Sequence, residues 1–196
     1  FDVTTCVVTV LEDYVWECGQ VSFANDGTMA YTMGNRLIVR KGNTRKAFDL
    51  GFYTNIANIS PDGTQVAYSN LDGRMYVIDV TSGAKEFLPV NDGYRPIWSP
   101  DGSKIAIQIA NGTLAVQERA TKKIFNLGQG ESISWANNSK ELIFTQTERI
   151  NDFQIAGTSI KKVNFDGTGE LTLVTSSDNL PTDAIITRDN KLYVPY

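Results

Sequence analysis

Ile59-Ser-Pro-Asp-Gly-Thr-Gln-Val-Ala-Tyr68 returns further along the chain as Trp98-Ser-Pro-Asp-Gly-Ser-Lys-Ile-Ala-Ile107. A looser copy precedes them, Phe23-Ala-Asn-Asp-Gly-Thr-Met-Ala-Tyr31, and two degraded copies follow, Trp135-Ala-Asn-Asn-Ser-Lys-Glu-Leu-Ile-Phe144 and Ile186-Thr-Arg-Asp-Asn-Lys-Leu-Tyr-Val194. Each Asp-Gly pair lies between short runs rich in Val, Ile, Tyr and Phe, which is the pattern of a tight hairpin. Gly supplies the positive φ that such a turn needs, and Asp bonds back to nearby amides. Pro61 and Pro100 lack an N–H and belong outside the strand ladder.

After each phrase comes a third strand, Leu37-Arg40, Met75-Val80, Leu114-Arg119 and Ile160-Phe165. A polar or Gly-rich turn then leads to a fourth, Lys46-Leu50, Lys85-Val90, Ile124-Leu127 and Leu171-Thr175. One unit of four strands cannot bury both of its faces, so the units must stack on one another. Four antiparallel strands in a repeat of about forty residues make the blade of a β-propeller. The repeats divide a single domain, 1–196, into blade 1 (19–51), blade 2 (52–90), blade 3 (91–127) and blade 4 (128–175). Blade 4 carries an insertion at 147–159, read either as a binding loop or as an extension of the hairpin.

The two ends are expected to share a fifth blade, 176–196 plus 1–18. Strands Val3-Val10 and Tyr14-Cys18 would take its outer places beside Ala184-Thr187 and Lys191-Pro195, which leaves no unfinished sheet. The expectation is therefore an all-β, five-bladed propeller, its last blade closed by residues 1–18 pairing with 183–196. If Val10 faces Tyr14 across Leu11-Glu12-Asp13, Cys6 falls opposite Cys18, where Cα atoms about 4.5 Å apart are within disulfide reach. That bond would constrain the closing hairpin by about 3 kcal/mol and imply an oxidising compartment; the alternative is a pair of buried thiols.

Composition narrows the function. The chain has 196 residues, 41% apolar and 20% charged, with a net charge of −4. Its densest basic stretch, Arg36 to Lys46, spreads five cations over two expected strands, so no clustered basic face invites nucleic acid. No apolar run approaches eighteen residues, so no membrane span is expected. Starting at Phe1, the chain reads as a processed or excised form. Histidine is absent, which removes the commonest general base and transition-metal ligand. Each Asp-Gly turn offers one carboxylate followed at once by a strand, so no metal and no cofactor is expected. Asn58-Ile-Ser60, Asn111-Gly-Thr113 and Asn137-Asn-Ser139 match the glycosylation sequon, which matters only in a secretory eukaryotic host.

The Ser-Pro-Asp-Gly-(Thr/Ser)-x-(Val/Ile)-Ala phrase is followed by a strand and Asp-x-x-x-Gly (Asp79 to Gly83). Together they resemble the TolB-type, WD-like propeller repeat, most strongly over 52–127. Related blades occur in prolyl-oligopeptidase-like peptidases. The resemblance implies a non-catalytic platform, secreted or periplasmic, that binds a protein or peptide partner. TolB has six blades and a preceding domain, whereas five blades are counted here. The peptidase triad needs a His and a Gly-x-Ser-x-Gly, and neither is present.

Segments leading into the innermost strands converge at one mouth of a propeller's channel. Here they bring Gln20, Tyr53, Asn55, Tyr94, Arg95, Glu131 with Ser132, and Thr182 with Asp183, a set suited to a polar ligand or a peptide terminus. Two other readings compete. A carbohydrate-binding or glycoside-hydrolysing propeller would use Glu131 and Asp183 as its carboxylate pair, with a glycan as partner. A structural subunit of a larger extracellular assembly would use blade faces instead. Trp98 and Trp135 occupy equivalent places and would suit a sugar platform, but Phe23, Ile59 and Ile186 hold the same position elsewhere, which favours an inter-blade core.

Overall fold

The computed structural model describes residues 10, 17–151, 154–176, 185–186 and 191–193. Among them there is no helix, and so none long and apolar enough to cross a membrane. The strands form four antiparallel four-stranded sheets in simple up-and-down order. The first holds β1 (Ser22–Phe23), β2 (Met29–Met33), β3 (Arg36–Lys41) and β4 (Thr44–Asp49); the second β5 (Ala57–Ile59), β6 (Gln65–Ser69), β7 (Met75–Asp79) and β8 (Lys85–Leu88). The third holds β9 (Gly93–Trp98), β10 (Lys104–Ile109), β11 (Thr113–Glu118) and β12 (Ile124–Gln129); the fourth β13 (Glu131–Trp135), β14 (Glu141–Asn151), β15 (Gln154–Asn164) and β16 (Leu171–Ser176). A short hairpin, β17 (Ile185–Ile186) with β18 (Leu192–Tyr193), follows.

The repeated phrase is the turn between the first two strands of each sheet, and every polar residue in it has a bond to make. Ser60 and Thr64 donate their hydroxyls to Asp62 Oδ1 at 2.6 and 2.9 Å, the Thr64 N–H adds a third bond, and the Gln65 N–H donates back to Ser60 Oγ. Ser99, Asp101, Ser103 and Lys104 repeat this network with nearly the same distances. Partial burial pulls the Asp101 carboxyl upward, but the bonds from Ser99 and Ser103, with Lys104 nearby, overcome it and hold the group at about 2. In the degraded fourth copy Asn138 replaces Asp and accepts the N–H groups of Lys140 and Glu141. Ser139 takes the place of Gly at φ 55 and accepts the Asp101 N–H from the neighbouring sheet.

The sheets bury their faces against one another. Ala30, Leu37, Ile59 and Tyr68 join the first sheet to the second, and Met75, Leu88, Trp98 and Ile105 join the second to the third. Leu114, Val116, Ile133, Trp135 and Phe144 join the third to the fourth. Both tryptophans are core, and each also clamps the preceding sheet: Trp98 Nε1 donates to the Asn58 carbonyl at 2.9 Å, and Trp135 Nε1 to the Ile97 carbonyl at 3.0 Å. The fourth sheet buries Ile143 and Ile160, with Val174 and Leu192 against them.

The insertion in the fourth repeat is an extension of the hairpin: β14 and β15 pair from Glu141↔Asn164 out to Asn151↔Gln154, with register shifts around Arg149. At the other end of the chain, Cys18 bridges to Met33 and the Gly19 N–H donates to the Thr32 carbonyl. The segment expected at the rim of a shared blade thus reaches the inner edge of the first sheet. Cys18 is exposed and makes no disulfide among the described residues; Cys6 and most of the two terminal segments lie outside them.

Candidate functional site at the channel mouth

Opposite the repeated turns, the chain enters the innermost strands of the third and fourth sheets through a glycine packed close against a side chain. A Cβ on Gly130 would lie 2.4 Å from the Phe144 ring, and one on Gly93 would lie 2.4 Å from Met75 Sδ. A side chain at either position would force its neighbour to move. Each of the two also donates its N–H to the carbonyl of a glycine in the preceding sheet or loop, Gly130 to Gly112 and Gly93 to Gly73, both at 2.9 Å. The residues that follow, Tyr94 and Glu131, are thereby fixed at the mouth. One step later the backbone turns left-handed, with φ 51 at Arg95 and φ 53 at Ser132, and the register slips at the same places. Non-glycine residues held at such φ cost energy and tend to mark functional positions.

Between the third and fourth sheets this geometry opens a polar cavity of about 240 Å³. Tyr94, Gln108, Gln129, Glu131, Gln146, Thr147 and Arg149 line it. Thr147 donates its hydroxyl to Glu131 Oε1 at 2.7 Å, and Gln129 Nε2 donates to Thr113 Oγ1 at 3.1 Å. Gln108 differs from these. It is 7% exposed, and its amide has no protein partner among the described residues. That amide is not sealed away from solvent, so it opens onto the cavity and is the group there most available to a ligand.

A second hollow of about 320 Å³ adjoins the first, between the second and third sheets, and shares Tyr94 and Ala110 with it. Its walls include Asn70, Leu71, Asp72 and Asp92. On the opposite face, the turn residues Asn25, Pro61, Pro100 and Asn137, with Phe23, Asn58 and Trp98, surround a more open concavity of about 780 Å³.

Of the residues expected at the mouth, Tyr94 and Glu131 line one cavity. Gln20, Tyr53 and Asn55 do not line it; the Gln20 N–H donates to the Asn55 carbonyl at 3.0 Å, joining the first two sheets by backbone alone. Arg95 is exposed and also outside the lining, and Thr182 and Asp183 lie outside the described residues. The structure adds Gln108, Gln129, Gln146, Thr147 and Arg149. Chemically the cavity offers amides, hydroxyls, one carboxylate and one guanidinium. These are groups that bind and orient a polar ligand, and Thr147 with Glu131 is a hydroxyl–carboxylate pair among them.

The packing of successive four-stranded sheets agrees with three solved structures. The tricorn protease matches 90% of this chain with a TM-score of 0.72 at 11% identity. The fold is a β-propeller. The propeller domain of the trilobed protease from Pyrococcus furiosus matches 80% of the chain (TM-score 0.62, 14% identity, 57% of that chain). That of Cps50 (Swd1) from Myceliophteria thermophila matches 86% (TM-score 0.56, 11% identity, 76% of that chain). The propeller spans only 18% of the tricorn protease chain. No family model matches the sequence, and no curated protein matches it.

Proposed function

We propose that this propeller is a non-catalytic binding and scaffolding module that presents its mouth face to a protein or peptide partner. The observation that carries the reading is Gln108, whose side chain is largely buried at the wall of a polar cavity while its amide opens onto that cavity without a protein bond. A ligand meets there an amide that can both donate and accept and that has no competing protein bond. We also propose that the ring has five blades, the last shared by both ends, and that the protein works in an oxidising, secreted or periplasmic setting. Supporting the first is β17, which lies beside β13 much as β5 lies beside β1 and β9 beside β5, with Leu192 packed on the fourth sheet.

The test separates the two faces. Material captured from the native host by the wild-type protein should be lost with the double variant Tyr94→Ala/Glu131→Gln and kept with the turn-face variant Phe23→Ala. Loss with Phe23→Ala alone would move the function to the other face. For closure, intact mass with and without reductant should differ by two protons if Cys6 and Cys18 are bridged.

A further inference from the structure

The two hollows on the mouth face form one trough, and its ends differ in charge. At the amide end stand Gln108, Gln129 and Gln146, where the charges of Glu131 and Arg149 are of opposite sign. At the other stand Asp72 and Asp92, both exposed, from different loops, with no cationic side chain in the lining. Asp72 accepts only a long bond from Asn70 Nδ2 at 3.4 Å, and the Asp92 carboxylate has neither a hydrogen bond nor an ion pair among the described residues. Their spacing is held by backbone: a Cβ on Gly73 would lie 2.5 Å from Asp92 Cα, and Ala110 donates its N–H to the Asp92 carbonyl at 2.9 Å. Leu71, 76% exposed, flanks them with an apolar surface.

From this juxtaposition we infer that the trough binds an extended peptide whose lysine or arginine lies between Asp72 and Asp92 and whose backbone amides meet Gln108 and its neighbours; this rests on the mouth-face reading above. Glutamine amides both donate and accept, which suits the alternating N–H and C=O groups of an extended chain. The Gln108 amide, opening onto the cavity from a largely buried side chain, gives that backbone a partner. The long aliphatic stem of a lysine or arginine packs on Leu71 and Tyr94 while its charge reaches the carboxylates. An acidic partner is repelled by the same pair, and nucleic acid with it.

A phage library of random octapeptides panned against the whole chain provides the test. Enriched peptides should carry Lys or Arg, and the best of them, made synthetically, should bind the double variant Asp72→Asn/Asp92→Asn about tenfold more weakly. Changing that peptide's basic residue to Met should produce a similar loss in the wild-type protein and almost none in the double variant. Rising salt should weaken binding to the wild type more than to the variant. Enriched peptides without basic residues, or equal binding to wild type and double variant, overturn the charge assignment. If those peptides still lose binding with Gln108→Leu and Tyr94→Ala, the mouth-face reading stands without it. No enrichment, or losses only with Phe23→Ala, overturns both.

Discussion

The turn face and the mouth face of this propeller solve opposite problems. On the turn face the same chemistry is written blade after blade: Ser60 with Asp62 and Thr64, Ser99 with Asp101 and Ser103, and Asn138 in the degraded copy. Every one of these polar groups finds its bond inside the turn or on the next sheet. On the mouth face the residues differ from blade to blade, Asp92, Arg95 and Ser132 are all held left-handed, and the Gln108 amide opens onto a cavity without a protein bond. Repetition with satisfied bonds is what holding a fold requires. Irregularity with unmet bonds is what a site requires, because the ligand completes it.

The sharpest way to break the contrast is to damage a turn. Asp101→Ala removes the acceptor for two hydroxyls and an N–H, and leaves the fully buried Ser99 hydroxyl without its bond. Urea unfolding should show a loss of about 2–3 kcal/mol. Asp101→Asn should lose less than half of that, since Asn138 already serves in the fourth blade.

Acid should act on the same face through the same groups. Asp101 sits at about 2 in the fold, and Asp62, Asp79 and Asp166 are held below their ordinary range, the first by its Ser60 and Thr64 bonds against some burial, the others by Ser82 and Thr168. A carboxyl depressed by folding stabilises the native state above its unfolded value and stops doing so as pH falls through its folded one. Thermal midpoints should therefore stay level from pH 7 to about 5 and fall from about pH 4 toward 2. Asp101→Ala should shallow that fall. A midpoint that declines already between pH 7 and 5 would point to other groups.

The smallest effect belongs to the mouth. Arg95→Gly relieves a left-handed residue that lies outside the cavity lining, and should raise stability by about 0.5–1 kcal/mol despite the looser unfolded chain. The matching change on the turn face, Ser139→Gly, should gain nothing, because it also removes the acceptor of the Asp101 N–H.

The fold was legible because the turn face repeats. Asp-Gly between β-rich runs gave the hairpins, and the alternation of Val66-Ala67-Tyr68 and Ile105-Ala106-Ile107 gave the strands that follow. The mouth was legible only in part. Tyr94 and Glu131 could be found from their place before the innermost strands, but the other walls come from elsewhere. Gln108 lies in the second strand of its sheet, and the residue at that position in the four sheets is Thr32, Ser69, Gln108 or Thr145, polar and buried each time. That recurrence was a signal, and Gln108 is its longest member. Thr147 and Arg149 reach the cavity because the insertion continues as paired strands, and the short repeat contains no counterpart to align them with. Gln20 and Asn55 meet through backbone atoms, a use that side-chain chemistry does not reveal.

The distinction between the two faces is tested most directly by unfolding Gln108→Leu beside Asp101→Ala in urea. An amide that folding leaves unpartnered should be replaceable: Gln108→Leu should stay within about 0.5 kcal/mol of wild type or gain up to about 1 kcal/mol, while Asp101→Ala loses about 2–3 kcal/mol. A loss of about 2 kcal/mol or more for Gln108→Leu, or none for Asp101→Ala, would contradict the division into a face that holds the fold and a face that awaits a partner.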